Sequence, residues 1–116
     1  MEESKHTVLV VDDDESMRIL CRVNLELDGF RVLEAPTVER AVELLRSEGV
    51  DVVLLDVHVG TGDGFSVLRS IRHERVALFT GSIEVDAGHR ARVDAVLAKP
   101  FTLSELTTTV AALATA

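Results

Sequence analysis

The stretch VLVVDDDESMR, Val8–Arg18, decides the fold. Its aliphatic run suits a strand covered on both faces, and the acids that follow mark where that strand stops. Three later apolar runs end in the same manner: Val52–Leu55 at Asp56, Val76–Phe79 at Thr80, and Val96–Ala98 at Lys99-Pro100. In an open parallel α/β sheet the carboxyl ends of the strands meet along one edge, where ligands bind. These endings would gather Asp12, Asp13 and Asp56 with the Thr80 hydroxyl and the Lys99 ammonium in one shallow pocket. Such a set suits a divalent cation and a phosphoryl group.

Working outward, strand-like and helix-like stretches alternate along the whole chain. Strands are expected at Thr7–Val11, Arg31–Ala35, Val50–Leu55, Val76–Phe79 and Ala95–Ala98. Ser16–Asp28 carries Ile19, Leu20, Val23 and Leu27 at helical spacing, and Gly29 stops it. Val38–Ser47 places Ala41, Val42, Leu44 and Leu45 on a helix with Thr37 as N-cap. Gly64–His73 uses Phe65, Val67, Leu68 and Ile71, and the last helix runs from about Leu103 to Ala114 with Leu106, Val110 and Leu113 on one side. Between Thr80 and Ala95 apolar residues are sparse, so Glu84 to Val93 is expected to be a short or frayed helix. Alternation with short connections implies a parallel sheet with helices on both faces; the best topology is a flavodoxin-like (βα)5 three-layer sandwich with five strands in the order 2-1-3-4-5, an order that spacing alone does not fix.

Composition narrows the function classes. A chain of 116 residues is expected to be one domain, 1–116, with a mostly aliphatic core, because it has no Trp or Tyr. A net charge of −8 argues against direct binding to nucleic acid or to an anionic membrane surface. The single Cys21 has no disulfide partner and sits in an apolar helical pattern, which reads as a small buried hydrophobe. No apolar run is long enough to span a membrane, and Met1–His6 lacks a signal-peptide core, so the cytoplasm is the expected compartment.

The pieces VLVVDDDESMR (Val8–Arg18), VVLLDVHVGTGDGF (Val52–Phe65), LFTG (Leu78–Gly81) and LAKPFT (Leu97–Thr102) resemble, in order and spacing, the receiver domain of two-component response regulators, in particular the single-domain chemotaxis type. The resemblance covers essentially the whole chain. It implies that Asp56 accepts a phosphoryl group from a histidine kinase or phosphotransfer protein, in a reaction that needs Mg²⁺. Asp13 is then the direct metal ligand, Asp12 acts largely through water, and Asp56 and the backbone carbonyl of His58 complete the protein ligands. Lys99 supplies a point charge to Asp56 and then to the phosphoryl oxygens, and the Lys99-Pro100 bond is usually cis. Thr80 donates to a phosphoryl oxygen and draws the following loop inward. The protein is then a signalling switch and not a turnover enzyme. Its output passes to a downstream protein or to an output domain outside this chain, and a homodimer stays open.

Each feature also has a plainer reading. The acidic run at Asp12–Glu15 suits any helix N-terminus, Thr80 and Lys99 singly would be surface residues, and His58 alone is a poor metal ligand without a second His or Cys nearby. His6, His73 and His89 read as surface residues, and Arg90 and Arg92 as a solvated helix face. A phosphatase with a second acid two positions after its nucleophile is excluded, because His58 occupies that position.

Four departures from the family pattern bear on signalling. Val96 stands where receivers often carry an aromatic ring, Gly60 stands where they commonly carry Pro, and the intervals Asp56-to-Thr80 and Thr80-to-Lys99 are both short. These predict a looser loop after Asp56, an unusual fourth helix and an atypical signalling face. They also keep an alternative in view: a receiver-like interaction module that does not signal through phosphate.

Overall fold

In the computed structural model, residues 5–60, 62–81 and 87–116 are described. Strand β1 (Thr7–Val11) lies inside a parallel sheet, between β2 (Arg31–Ala35) and β3 (Val52–Asp56). Beyond β3 come β6 (Arg75–Thr80) and β7 (Ala95–Ala98), giving the order β2-β1-β3-β6-β7. With the two hairpin strands between β3 and β6 set aside, this is the expected 2-1-3-4-5 arrangement. Every residue of β1 is buried, as the unbroken aliphatic run requires of a strand covered on both faces.

The alternating side chains feed two cores. Leu9, Val11, Val53, Leu55, Val76 and Leu78 point to one face, where helix α2 (Val38–Ser47) supplies Ala41, Leu44 and Leu45. Val8, Val10, Val52, Leu54, Ala77 and Phe79 point to the other, against Cys21 and Leu25 of α1 (Glu15–Leu27) and Leu106 and Val110 of α4 (Leu103–Ala114). The result is three layers. Helix α2 starts and stops as its residues dictate: the Thr37 hydroxyl accepts from the Arg40 N–H, and Arg46 lies in the last turn. Helix α4 opens on a capping box between Thr102 and Glu105.

Three local expectations are corrected. On α1, the stripe Ile19, Leu20, Val23 and Leu27 is not the core face. These residues are 39 to 80 % exposed, while Cys21 and Leu25 are fully buried and Met17 packs beside them. The helix carries two apolar stripes, and the one bearing Met17, Cys21 and Leu25 at four-residue spacing faces the sheet.

The third helix is a 3-10 helix over Gly64–Ser70 and not an α-helix reaching His73. Asp63 caps it by accepting from the Phe65 N–H, and Gly64 and Ser66 give its first turn little α-helical preference. By Ile71 the chain is already extended toward β6.

The loop after Asp56, where a looser connection was expected, has regular pairing. It forms a small antiparallel hairpin of β4 (His58–Val59) and β5 (Gly62–Asp63), with Gly60 at φ +62°. Glycine takes that left-handed conformation without penalty.

His89, expected at the surface, is half-buried and stacks on Phe65 with ring centroids 3.8 Å apart. It belongs to α3 (Ala87–Arg90), which falls within the stretch expected to be the fourth helix. The expected start of that helix at Glu84 lies outside the described residues. His6, His73, Arg90 and Arg92 are exposed, as the sequence suggests.

Candidate functional site

Strand register brings the polar endings together. Val11 pairs with Leu55, so Asp12 and Asp56 are the next residues on adjacent strands. Asp56 pairs with Phe79, and Thr80 pairs with Ala98, so Thr80 and Lys99 follow along the same edge. The Lys99 N–H donates to the Thr80 carbonyl at 2.7 Å, which fixes where the lysine leaves the sheet. The Lys99–Pro100 peptide is cis, as expected from the resemblance.

One carboxylate oxygen from each of Asp12, Asp13 and Asp56 lies within 4.8 Å of the others. Three hard oxygen donors at that spacing fit a small divalent cation that keeps several of its waters. Burial differs sharply among them: Asp12 is 1 % exposed, Asp56 is half-buried, and Asp13 is open to solvent. Both oxygens of Asp12 are already engaged, Oδ1 by the Asp14 N–H at 2.9 Å and Oδ2 by Lys99 Nζ at 3.3 Å. Asp13 is the member best placed to meet an ion directly.

The lysine sits between two acids. Its Nζ is 3.3 Å from Asp12 Oδ2 and 3.7 Å from Asp56 Oδ2, and 5.7 Å from the centre of the Phe79 ring. Burial is the largest influence on Asp56 and pushes its pKa up, with the Asp12 charge acting in the same direction. Lys99 and the His58 N–H, which donates to Asp56 Oδ1 at 3.3 Å, pull the other way. The His58 imidazole is exposed and outside the carboxylate cluster. Thr80 is buried at the end of β6.

Two supporting residues escaped the sequence reading. Arg18 holds the first strand's end: its Nη1 donates to the Asp12 carbonyl at 2.8 Å, while its Nε pairs with Glu34 at 3.2 Å. Its place one turn beyond the acidic run was the only available signal. Gly64 entered the sequence reading as the first residue of the third helix, yet a Cβ there would overlap the Asp56 carbonyl and meet the Val57 carbonyl at 2.8 Å. Only glycine lets the hairpin close back on the acceptor strand, where the Gly64 N–H donates to the Val57 carbonyl at 2.9 Å. Cys21 is buried as expected, and burial pushes its thiol up to about 12, which leaves it an inert thiol.

Comparison with known proteins agrees with this geometry. Residues 8–111 match the family described as the response regulator receiver domain. The chain is 35 % identical over 105 residues to the KDP operon transcriptional regulatory protein KdpE of Escherichia coli, covering 85 % of this chain and 47 % of that protein. It is 37 % identical over 107 residues to the transcriptional regulatory protein CseB of Streptomyces avermitilis, covering 87 % and 45 %. The chain thus spans about half the length of these relatives. In fold it is similar to the signal receiver domain of a putative LuxO repressor protein from Vibrio parahaemolyticus, with a TM-score of 0.87 at 22 % identity over 97 % of this chain and 92 % of that one.

Proposed function

From the premise that this chain belongs to the response regulator receiver domains, we propose that residues 1–116 act as a single receiver domain whose phosphoacceptor is Asp56. The observation that carries the reading is the placement of the Asp56 carboxylate beside two further acids and within 3.7 Å of the Lys99 ammonium. A carboxylate oxygen of Asp56 attacks the phosphorus of a phosphohistidine on a kinase or phosphotransfer protein. The new O–P bond forms as the P–N bond breaks, and the imidazole leaves with the electron pair.

The chain's own residues position and neutralise. Asp13 and Asp56, the His58 carbonyl, and Asp12 through water would hold Mg²⁺, which supplies charge neutralisation for the phosphoryl oxygens. Lys99 exchanges part of its contact with the acids for the phosphoryl group. The Thr80 hydroxyl donates to a phosphoryl oxygen and turns the modification into movement of the segment after β6. This is a switch whose only chemistry is gaining and losing its own phosphoryl group.

The apolar stripe of α1 suits a partner at this edge. Helix α1 begins directly after the acids, and Met17 and Leu20 line a groove with Lys99, Pro100 and Phe101. Together with Ile19 and Val23 they give a donor protein an apolar hold beside the acceptor. None of the described helices is long and apolar enough to cross a membrane, and we place the protein in the cytoplasm. The output goes to a downstream protein or to an output domain beyond these residues.

Val96, half-buried against the core with no ring to swing, favours the rival reading of an interaction module without phosphate signalling. A Mg²⁺ titration followed by backbone amide shifts separates the two. Saturable shifts centred on Asp12, Asp13 and Asp56, lost on Asp13→Asn, support the receiver reading. Spectra indifferent to the ion at millimolar concentration reject it.

A further inference from the structure

In this acidic chain Arg18, Arg22, Arg31, Arg40, Arg75 and Lys99 each lie within ion-pair distance of a carboxylate. Among the described residues Lys5, Arg46, Arg69, Arg72, Arg90 and Arg92 have no such pair, and of these Arg46, Arg69 and Arg72 stand together. Among the described residues none of their guanidinium groups meets a carboxylate or any other acceptor. All three line one cavity of about 360 Å³, with Ser70 and Leu45. No carboxylate is among the described residues that line it.

Helix-end electrostatics account for Arg46 and Arg69 singly. They stand in the last turns of α2 and of the 3-10 helix, where a cation suits the helix dipole. That argument does not reach Arg72, which lies past the 3-10 helix in the link to β6. Nor does it explain three like charges on one concave wall with no counter-charge, in a chain whose net charge is −8.

We propose that this cavity binds a small ligand carrying two or more linked phosphate groups. The guanidinium fork is planar, always charged and matched to phosphate oxygens, and three of them balance most of the charge of a di- or triphosphate. The half-buried Ser70 adds a hydroxyl. The volume falls within the roughly 300–1,000 Å³ usual for small-ligand sites. A nucleic-acid strand fits poorly, since its remaining phosphates would face a strongly acidic molecule.

The site is independent of the acceptor chemistry. Arg46 precedes β3 and Arg72 precedes β6, so the cavity lies at the edge where those strands begin, whereas Asp56 lies where β3 ends. A strand's length, about 16 Å, separates the two edges.

Calorimetric titration of the intact protein with inorganic tripolyphosphate, in buffer free of divalent cations, tests the assignment. One saturable site is expected, weakened at least about tenfold by Arg69→Ala or Arg72→Ala and unchanged by Arg92→Ala. Arg72→Lys, which keeps the charge and loses the fork, is expected to fall between. Circular dichroism of each variant checks that the fold is intact. A parallel titration with a nucleoside triphosphate distinguishes the sources: tighter binding than tripolyphosphate identifies a nucleotide, and equal binding identifies the phosphate chain alone. Absence of saturable binding at millimolar tripolyphosphate overturns the proposal. So does binding that survives Arg69→Ala and Arg72→Ala together, or that is lost with Arg92→Ala.

Discussion

The Lys99 ammonium lies closer to Asp12, at 3.3 Å, than to Asp56, at 3.7 Å. The lysine therefore does two jobs at once. It balances a carboxylate that is almost wholly buried, and it stands ready beside the acid that is to be modified. Removing it leaves Asp12 buried without its cation and next to Asp56. Lys99→Met is expected to cost about 2–3 kcal/mol in urea denaturation, part of it recovered when Mg²⁺ is added. An unchanged midpoint would show that Asp12 does not depend on the lysine.

Asp56 gives a pH dependence with a definite sign. Its pKa is raised in the folded protein, by burial first and the Asp12 charge second. The folded state therefore prefers the protonated acid. That preference contributes stability at pH below the ordinary value of 3.8, and it is lost as pH rises through the raised folded value. At pH 7 without divalent cation, Asp56→Asn is expected to melt higher than the native protein by roughly a few degrees. The gap should close as pH falls toward 3.8. A variant that melts lower at pH 7 contradicts this electrostatic picture.

How far the chain was legible depended on whether a signal was local. Helix α2 could be read outright, because the Thr37 cap and the Ala41, Leu44 and Leu45 spacing lie within one segment. The carboxylate edge was legible too, since four strands announce their own polar endings, whereas the sheet order rests on long-range pairings that spacing does not reveal. Helix α1 was misread because it carries two apolar stripes, and only the packed sheet selects Cys21 and Leu25 over Ile19 and Val23. Arg18 and Gly64 were missed for a related reason. Their importance lies in the Asp12 and Asp56 carbonyls, which come near only after folding. The Arg46, Arg69 and Arg72 grouping joins two elements and leaves no mark in either alone.

The stack of Phe65 on His89 ties the segment that follows Asp56 to the one that follows Thr80. Only Ala87–Arg90 of α3 are among the described residues, and this ring contact is a principal tertiary hold on that turn. Phe65→Ala is expected to cost about 2–3 kcal/mol and to speed amide exchange across Ala87–Arg90, which is expected to be faster than in α2 beforehand. Exchange there as slow as in α2, before or after the substitution, would refute the role given to the stack.

Gly64 admits no side chain. Gly64→Ala forces the hairpin away from the acceptor strand, since its Cβ would overlap the Asp56 carbonyl. A loss of about 2–4 kcal/mol is expected, together with weaker Mg²⁺ binding as the His58 segment moves. Native-like stability with native-like Mg²⁺ affinity would show that the loop adapts at no cost.

The central claim is that Asp56 is the phosphoacceptor, and intact-protein mass spectrometry tests it most directly. After incubation with Mg²⁺ and a small phosphodonor, the native chain is expected to gain the mass of one phosphoryl group. Chelation of the metal should prevent the gain, and Asp56→Asn should abolish it. A native protein that stays unmodified while another receiver in the same tube is labelled, or an Asp56→Asn variant that gains the same mass, would contradict the account.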